Sequence, residues 1–258
     1  MTRTIAVSGS ASGIGRAVAG LLRDQGDEVI GVDLKDAEVT ADLATPEGRA
    51  HAVEAVLGLC GGTLDGAVLC AGLSGPTPLT VRVNFFGVVA MLDGLRPALA
   101  AAARPRAAVA GSISGTQQAD PDVIAACLDG DETAALAAAE RTVARHAGHR
   151  LYPSSKSALA QWLRRSAVTP GWAGAGIPLN AVAPGVVLTP MTTPLFEDPA
   201  MRRVMDEAVP MPLNGHAEPE VVAEVLRWLV SPANSHVTGQ VLYVDGGAEA
   251  TLRGPGVF

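Results

Sequence analysis

Aromatic residues are scarce. The 258-residue chain contains three Trp, two Tyr and four Phe, so a tyrosine working as an acid or base must be Tyr152 or Tyr243. No block of basic residues occurs and the net charge is −7, which argues against a nucleic-acid surface. The three cysteines, Cys60, Cys70 and Cys127, are an odd number without metal-ligand spacing. They read as buried free thiols in a reducing compartment rather than as a disulfide framework. No apolar run approaches the ~20 residues of a membrane span. The N-terminus has one Arg and then a short apolar run ending in Ser8-Gly9-Ser10, which is the form of a first strand and not of a signal peptide. These absences lead to the expectation of a cytoplasmic protein with no metal, no nucleic-acid partner and no membrane. What is plentiful is Ala, Gly, Val and Leu, in a length that suits one large domain or two small ones.

Short apolar runs alternate with helical patterns. Thr4–Val7 stops at glycine and reads as a buried parallel strand. Gly9-Ser10-Ala11-Ser12-Gly13-Ile14-Gly15 follows, and the apolar spacing of Ile14, Val18, Leu21 and Leu22 predicts a helix closed by Gly26. Strand, glycine turn, helix is the context that gives such a motif meaning. Gly9 permits a tight turn. Gly13 and Gly15 let backbone approach a pyrophosphate at the helix N-terminus, where free N–H groups and the helix dipole favour an anion. A second strand, Glu28 to Asp33, ends in an acid. A carboxylate there accepts both hydroxyls of an adenosine ribose and repels a 2′-phosphate, which favours NAD over NADP. After a brief extended piece, the carboxylate of Asp42 either reaches the adenine amino group or caps the helix beginning at Pro46.

Further along, Pro46 to Cys60 predicts a helix with Ala50, Val53, Val56, Leu57 and Cys60 on its apolar side. Leu64 to Cys70 predicts a strand running into Ala71-Gly72, and Arg82 to Ala103 a long helix carrying Asn84. An Asn inside a helix has poor propensity and usually faces solvent. Ala107 to Ala110 predicts another strand, ending at Gly111-Ser112. The alternation then breaks. Residues 117–150 predict two extra helices, the second with Leu136, Ala139 and Val143 on one side. His146 and His149 near its end read as surface histidines rather than metal ligands. Next come Tyr152 and Lys156, four apart and so on one face of a helix. An ammonium beside a phenol favours the phenolate and lowers the tyrosine pKa. On its own that pair reads more readily as a solvated helix face. Residues 178–183 lead into Pro184-Gly185, and residues 188–213, rich in Pro and Met, read as a substrate lid. Met191, Leu195, Phe196, Met201 and Met205 suit either a bulky apolar ligand or a lid packed on its own protein. A helix over Glu218–Leu229, with Val221, Val222, Val225 and Leu229 inward, and a strand over Val241–Val244 complete the pattern. The whole predicts an α/β fold: a doubly wound parallel seven-stranded sheet in a single domain, with ligand at the carboxyl ends of the strands.

Taken in order, Gly9-x3-Gly13-x-Gly15, Cys70-Ala71-Gly72, Asn84, Ser112, Tyr152-x3-Lys156 and Pro184-Gly185 resemble the motif set of the short-chain dehydrogenases/reductases over nearly the whole chain. The stretch Gly31 to Leu43, the phrase Leu69 to Leu73 and the helical insertion resemble the hydroxysteroid dehydrogenase/carbonyl reductase branch. The resemblance implies an NAD-dependent interconversion of a secondary alcohol and a ketone. The substrate it implies is a hydroxysteroid or similar bulky apolar carbonyl compound, with a smaller aryl or secondary alcohol as the alternative. It implies a catalytic set of Asn84, Ser112, Tyr152 and Lys156, with Ser114 as the other serine candidate. Asn84 would hold a water linking Lys156 to solvent. The implied cofactor wall comprises Gly9, Ser12, Gly13, Ile14, Gly15, Asp33, Asp42, Leu43, Cys70, Ala71, Gly72, Tyr152, Lys156, Pro184, Gly185, Val187 and Thr189. A dinucleotide sensor would keep the glycine turn but has no need of Ser112, Tyr152 and Lys156 together. The family usually assembles through its long helices, which the insertion would cover, so a homodimer is expected more readily than a tetramer. Pro153 departs from the family pattern. It lacks an N–H and disfavours helical geometry for Tyr152, so Tyr152 must sit at the start of its helix.

Overall fold

In the computed structural model, which describes residues 2–257, every expected strand forms. They are β1 (Thr4–Ser8), β2 (Glu28–Asp33), β3 (Val39–Thr40), β4 (Gly66–Leu69), β5 (Arg106–Ala110), β6 (Leu179–Pro184) and β7 (Val241–Val244). They make one sheet in the order β3-β2-β1-β4-β5-β6-β7, and every pairing is parallel. Successive side chains leave opposite faces. Ile5 and Val7 therefore join one core layer and Ala6 the other. Both layers are dry, which explains why the strands read as unbroken apolar runs. The strand order reverses beside β1, and the crevice at that switch point opens at the carboxyl ends of the strands.

The helices are α1 (Gly13–Asp24), α2 (Pro46–Leu59), α3 (Pro78–Val81), α4 (Val88–Ala100), α5 (Pro121–Leu128), α6 (Glu132–Ala144), α7 (Leu151–Ser166), α8 (Thr193–Glu197), α9 (Pro199–Ala208), α10 (Pro219–Leu229) and α11 (Ala248–Arg253). Helices α1 and α10 cover one sheet face, while α2, α4 and α7 cover the other. The insertion folds as α5 and α6, and α5 packs on α7.

Several expectations are corrected. The long helix begins at Pro78, not Arg82, and holds a π-helical turn at Arg82–Gly87 between α3 and α4. Over Pro78–Ala100 it is long and apolar enough to cross a membrane, against the reading that no such run exists. Within the fold, 61% of that window is buried as a core helix. In α6 the buried face is Ala135, Ala138, Ala139 and Thr142, and Val143 points outward. A run of alanines offers little contrast between faces, so packing against α3 and α5 chose the side. In α10, Val222, Ala223, Leu226 and Leu229 are buried while Val221 is exposed. In α2 the inward residues are Arg49, Ala52 and Val56, whereas Ala50 is exposed. The span 188–213, which showed weak periodicity, contains both α8 and α9.

Candidate active site

The site is one cavity of about 420 Å³ along the strand ends. It is lined by Gly9, Ser12, Gly13, Ile14, Gly15, Asp33, Asp42, Leu43, Cys70, Ala71, Gly72, Ser112, Tyr152, Lys156, Pro184, Gly185, Val187 and Thr189. Segments spread along the chain from Gly9 to Thr192 are brought by the parallel sheet to a single edge. Asn84 and Ser114 are not on the wall.

At the centre of the crevice, Gly9 leaves β1 with φ +71° and crosses the end of β4 so closely that a Cβ would lie 2.8 Å from the Ala71 nitrogen. Gly13, with φ +50°, opens α1 facing Thr189, and a Cβ there would stand 3.2 Å from the threonine methyl. A side chain at Gly9 would collide with the end of β4 and one at Gly13 would press on Thr189, so the turn brings bare backbone to the helix N-terminus and is a cradle for a phosphate-sized group. At one flank, the Asp33 carboxylate is held by two backbone donors, Ala11 N–H (2.9 Å) and Leu34 N–H (2.7 Å). That fixes an anion where an adenosine ribose would lie. The residues present therefore fit a dinucleotide.

Asp42 lines the same flank, but it does not cap α2. Its Oδ1 accepts Ala44 N–H at 2.9 Å, and Thr45 is the cap, accepting Gly48 N–H at 3.0 Å. Thr45 stands directly before Pro46, where the geometry requires a short hydroxyl.

Helix α7 begins at Leu151, which places Tyr152 and Pro153 in its first turn. The missing N–H of Pro153 is one of the donors that a first turn leaves unpaired anyway. Tyr152 thus stands at the helix start, as the proline demanded. The Ser112 hydroxyl accepts Ser114 N–H at 3.1 Å. This leaves the serine hydrogen for a partner on the cavity side, where Tyr152 stands. Lys156 is 6% exposed, donates to the Ala110 carbonyl at 2.8 Å, and holds its ammonium 5.8 Å from the centre of the Tyr152 ring.

The electrostatics differ from the expectation. Burial raises the Tyr152 pKa above its ordinary value, and a hydrogen bond with Ser112 offsets part of that rise. Burial also lowers Lys156 to about 8, with a small opposing effect from Cys70. In the bare protein the direction of the phenol's shift is set by desolvation and opposed by Ser112, not by the lysine. Cys70, in the same wall, is pushed up to about 12 by burial, with Lys156 acting against it. It is a neutral thiol.

Asn84, expected to face solvent when judged alone, is completely buried. The π-helical turn re-aims it inward, as such bulges do. Its Oδ1 accepts Leu73 N–H (2.8 Å), and its Nδ2 donates to the Leu73 carbonyl (2.9 Å) and to Ser155 Oγ (3.1 Å). Ser155 in turn donates to the Tyr152 carbonyl at 2.8 Å. Asn84 lies behind Gly72, where an added Cβ would be 3.1 Å from Asn84 Oδ1 and 3.7 Å from Lys156 Nζ. Ser155 was missed by the motif reading. Its only signal is its place among small residues one turn below the tyrosine.

The apolar residues of the 188–213 span divide. Met191 lines the cavity. Phe196 and Met205 pack on the protein itself, against Val186, Val209 and Ala248. Leu195 and Met201 are not on the wall.

Comparison with known proteins bears on what this geometry is for. The family model described as enoyl-(acyl carrier protein) reductase matches residues 9–249. A 3-alpha-hydroxysteroid dehydrogenase/carbonyl reductase from Comamonas testosteroni is 38% identical over 253 residues, covering 96% of this chain and 97% of that one. The chain belongs to the short-chain dehydrogenase/reductase family. A galactitol 2-dehydrogenase (L-tagatose-forming) from Cereibacter sphaeroides is 30% identical, with 94% of this chain and 93% of that one covered. Among solved structures, a 3-alpha-hydroxysteroid dehydrogenase from Pseudomonas sp. B-0831 complexed with NADH superposes with a TM-score of 0.91. It is 43% identical over 99% of this chain and 100% of that one. As a short-chain dehydrogenase/reductase, this chain is an oxidoreductase of alcohols and ketones, and the sensor reading is not favoured.

Proposed function

We propose that the protein is an NAD(H)-dependent oxidoreductase interconverting a secondary alcohol and a ketone on a hydroxysteroid or similarly bulky apolar compound. One observation carries the chemistry: Ser112, Tyr152 and Lys156 share a wall with the glycine cradle and the backbone-held Asp33. The substrate class is supported by the end-to-end likeness to the two hydroxysteroid enzymes and by Leu73, Leu79, Val83 and Met191 in the cavity wall.

NAD(H) would be held by the Gly9–Gly15 turn, Asp33, Asp42, Leu43, Cys70, Ala71, Gly72, Pro184, Gly185, Val187 and Thr189, and when bound it supplies or accepts the hydride. In reduction, Ser112 donates its hydroxyl hydrogen to the substrate carbonyl oxygen. Tyr152, protonated at neutral pH because burial raises its pKa, delivers a proton to that oxygen. Lys156 stabilises the phenolate left behind and holds a cofactor ribose hydroxyl. Asn84 keeps a water near Lys156 that returns the proton from solvent. In oxidation the roles reverse. The phenol contributes about 10²–10⁴-fold as a general acid.

The same proposal includes residues 188–213 as a lid bearing Met191 on the substrate, a cytoplasmic location, and a homodimer rather than a tetramer. Packing of α5 on α7 supports the last point, because it covers a helix the family uses for assembly. Light scattering at several concentrations tests it, and a stable tetramer would refute it.

The functional test is turnover of NAD(H) and NADP(H) with steroids, aryl ketones and small secondary alcohols, for the wild type and Tyr152→Phe. NADH turnover of a 3-ketosteroid that Tyr152→Phe reduces by a factor of about 10² or more is expected. Full turnover by the folded phenylalanine variant would sink the mechanism.

A further inference from the structure

Helix α2 buries an arginine on the side where the sequence pattern called for apolar residues. Arg49 is 7% exposed. Its Nε donates to the Leu43 carbonyl at 2.8 Å, and Nη1 and Nη2 grip the two carboxylate oxygens of Glu132 at 2.7 and 2.9 Å. Nη2 also lies 3.4 Å from the carbonyls of Ala44 and Arg82. Glu132 is the first residue of α6, where a helix N-terminus favours a carboxylate, and it meets Arg82 Nε at 3.3 Å. One guanidinium thus joins the insertion, the π-helical turn and the loop before α2.

That loop is a wall of the cavity. Ala41, Asp42, Leu43 and Ala44 line it on the flank that carries Asp33. Leu43 is also wedged from behind, since a Cβ on Gly87 would lie 3.2 Å from both its Cβ and its carbonyl. The Leu43 carbonyl is turned away from the cavity into a buried position, where an unpaired oxygen is costly. Arg49 satisfies it, and Glu132 satisfies Arg49 with paired, planar geometry that only arginine provides.

We infer that the Arg49–Glu132 pair is a positioning brace through which the insertion sets the adenine-side wall of the cofactor cavity. This inference rests on the dinucleotide reading of that cavity. It assigns the insertion a role in cofactor affinity, apart from the chemistry at Tyr152. A wall held in shape before binding spares the ligand the cost of ordering it. Loosening the brace should therefore weaken whatever binds against Leu43 and leave the far end of the cavity unchanged.

The experiment is calorimetric titration of wild type, Glu132→Gln and Arg49→Lys with ADP-ribose and, separately, with nicotinamide mononucleotide. Thermal melts of each protein show whether it is folded. Wild type should bind ADP-ribose. Glu132→Gln, which keeps size but loses charge, should bind it about tenfold more weakly, with nicotinamide mononucleotide affinity unchanged and kcat at saturating cofactor within about twofold. Arg49→Lys keeps the charge and loses the paired geometry, so it should show the same split and serves if the first variant does not fold. Wild-type affinity for ADP-ribose in a folded variant, or equal losses for both ligands, would overturn the brace. Failure of the wild type to bind ADP-ribose would instead overturn the cofactor reading, and the brace with it.

Discussion

Replacing Lys156 by methionine should make the bare protein more stable while destroying its activity. The lysine is 6% exposed, and burial lowers its pKa from 10.5 to about 8. At pH 7 the amine is charged in both folded and unfolded chains. The folded protein then carries a desolvation cost of about 3 kcal/mol. Methionine fills a similar volume without that cost. It does leave the Ala110 carbonyl without the 2.8 Å bond it accepts from the amine, a loss of about 1 kcal/mol. The net gain is about 2 kcal/mol at pH 7. The pH dependence identifies the cause. A cationic group whose folded pKa is depressed carries its full cost below that folded value. The cost is relieved as pH rises from about 8 towards the unfolded value of 10.5. The advantage of Lys156→Met should thus shrink through that window and vanish, or slightly reverse, by its upper end. Urea unfolding of both proteins without cofactor, at equal concentration and at pH 7, 9 and 10.5, measures it. Cys127, raised to about 12, titrates alike in the two proteins and cancels in the difference. Cys70, also raised to about 12 against the pull of Lys156, loses that pull in the variant but stays protonated in both folded proteins up to pH 10.5. A variant no more stable than wild type at pH 7, or one whose advantage is independent of pH, would refute the argument.

Three further outcomes are expected. Ser155→Ala should lower kcat by about tenfold, because it frees Asn84 Nδ2 and the Tyr152 carbonyl in a fully buried place. Steady-state kinetics with Ser155→Cys as an intermediate should show kcat falling in the order Ser, Cys, Ala, with the cofactor KM little changed; equal kcat across the series would remove Ser155 from the site. Because burial raises the Tyr152 pKa, the phenol is the dominant form at neutral pH. Carbonyl reduction should therefore hold its rate through neutrality, whereas alcohol oxidation should climb as pH rises towards the tyrosine pKa, and a pH profile of kcat/KM in both directions checks this. Asp33→Ala should raise the preference for NADP relative to NAD by about tenfold or more, by removing the carboxylate that repels a 2′-phosphate; an unchanged ratio of kcat/KM for the two cofactors would show that Asp33 does not read the ribose.

Much of this protein is local and therefore legible in the chain. A parallel strand buried on both faces needs an unbroken apolar run, and a turn with positive φ at Gly9 and Gly13 needs glycine. Both requirements are met residue by residue in β1, β2, β4 and β5 and in the turn, so the centre of the sheet and the cradle follow from the sequence, whereas β3 is a two-residue piece and β7 only half-buried. Pro153 likewise dictates that Tyr152 opens its helix, through the covalent geometry of proline alone. The tertiary structure decided matters of environment. Whether Asn84 faces water or protein depended on a π-helical turn, which leaves no pattern in propensity. The inward face of α6 depended on which side met α3 and α5, and that of α10 on which side met the sheet and α1, where alanine and valine give little preference. The sign of the Tyr152 shift depended on how much water the ring loses, set against a hydrogen bond with Ser112. The pairing of Arg49 with Glu132, 83 residues apart, is set by where the insertion packs against α3 and α7. Sequence records what each residue is able to do. Only the fold determines how much water each one loses and which partner replaces it.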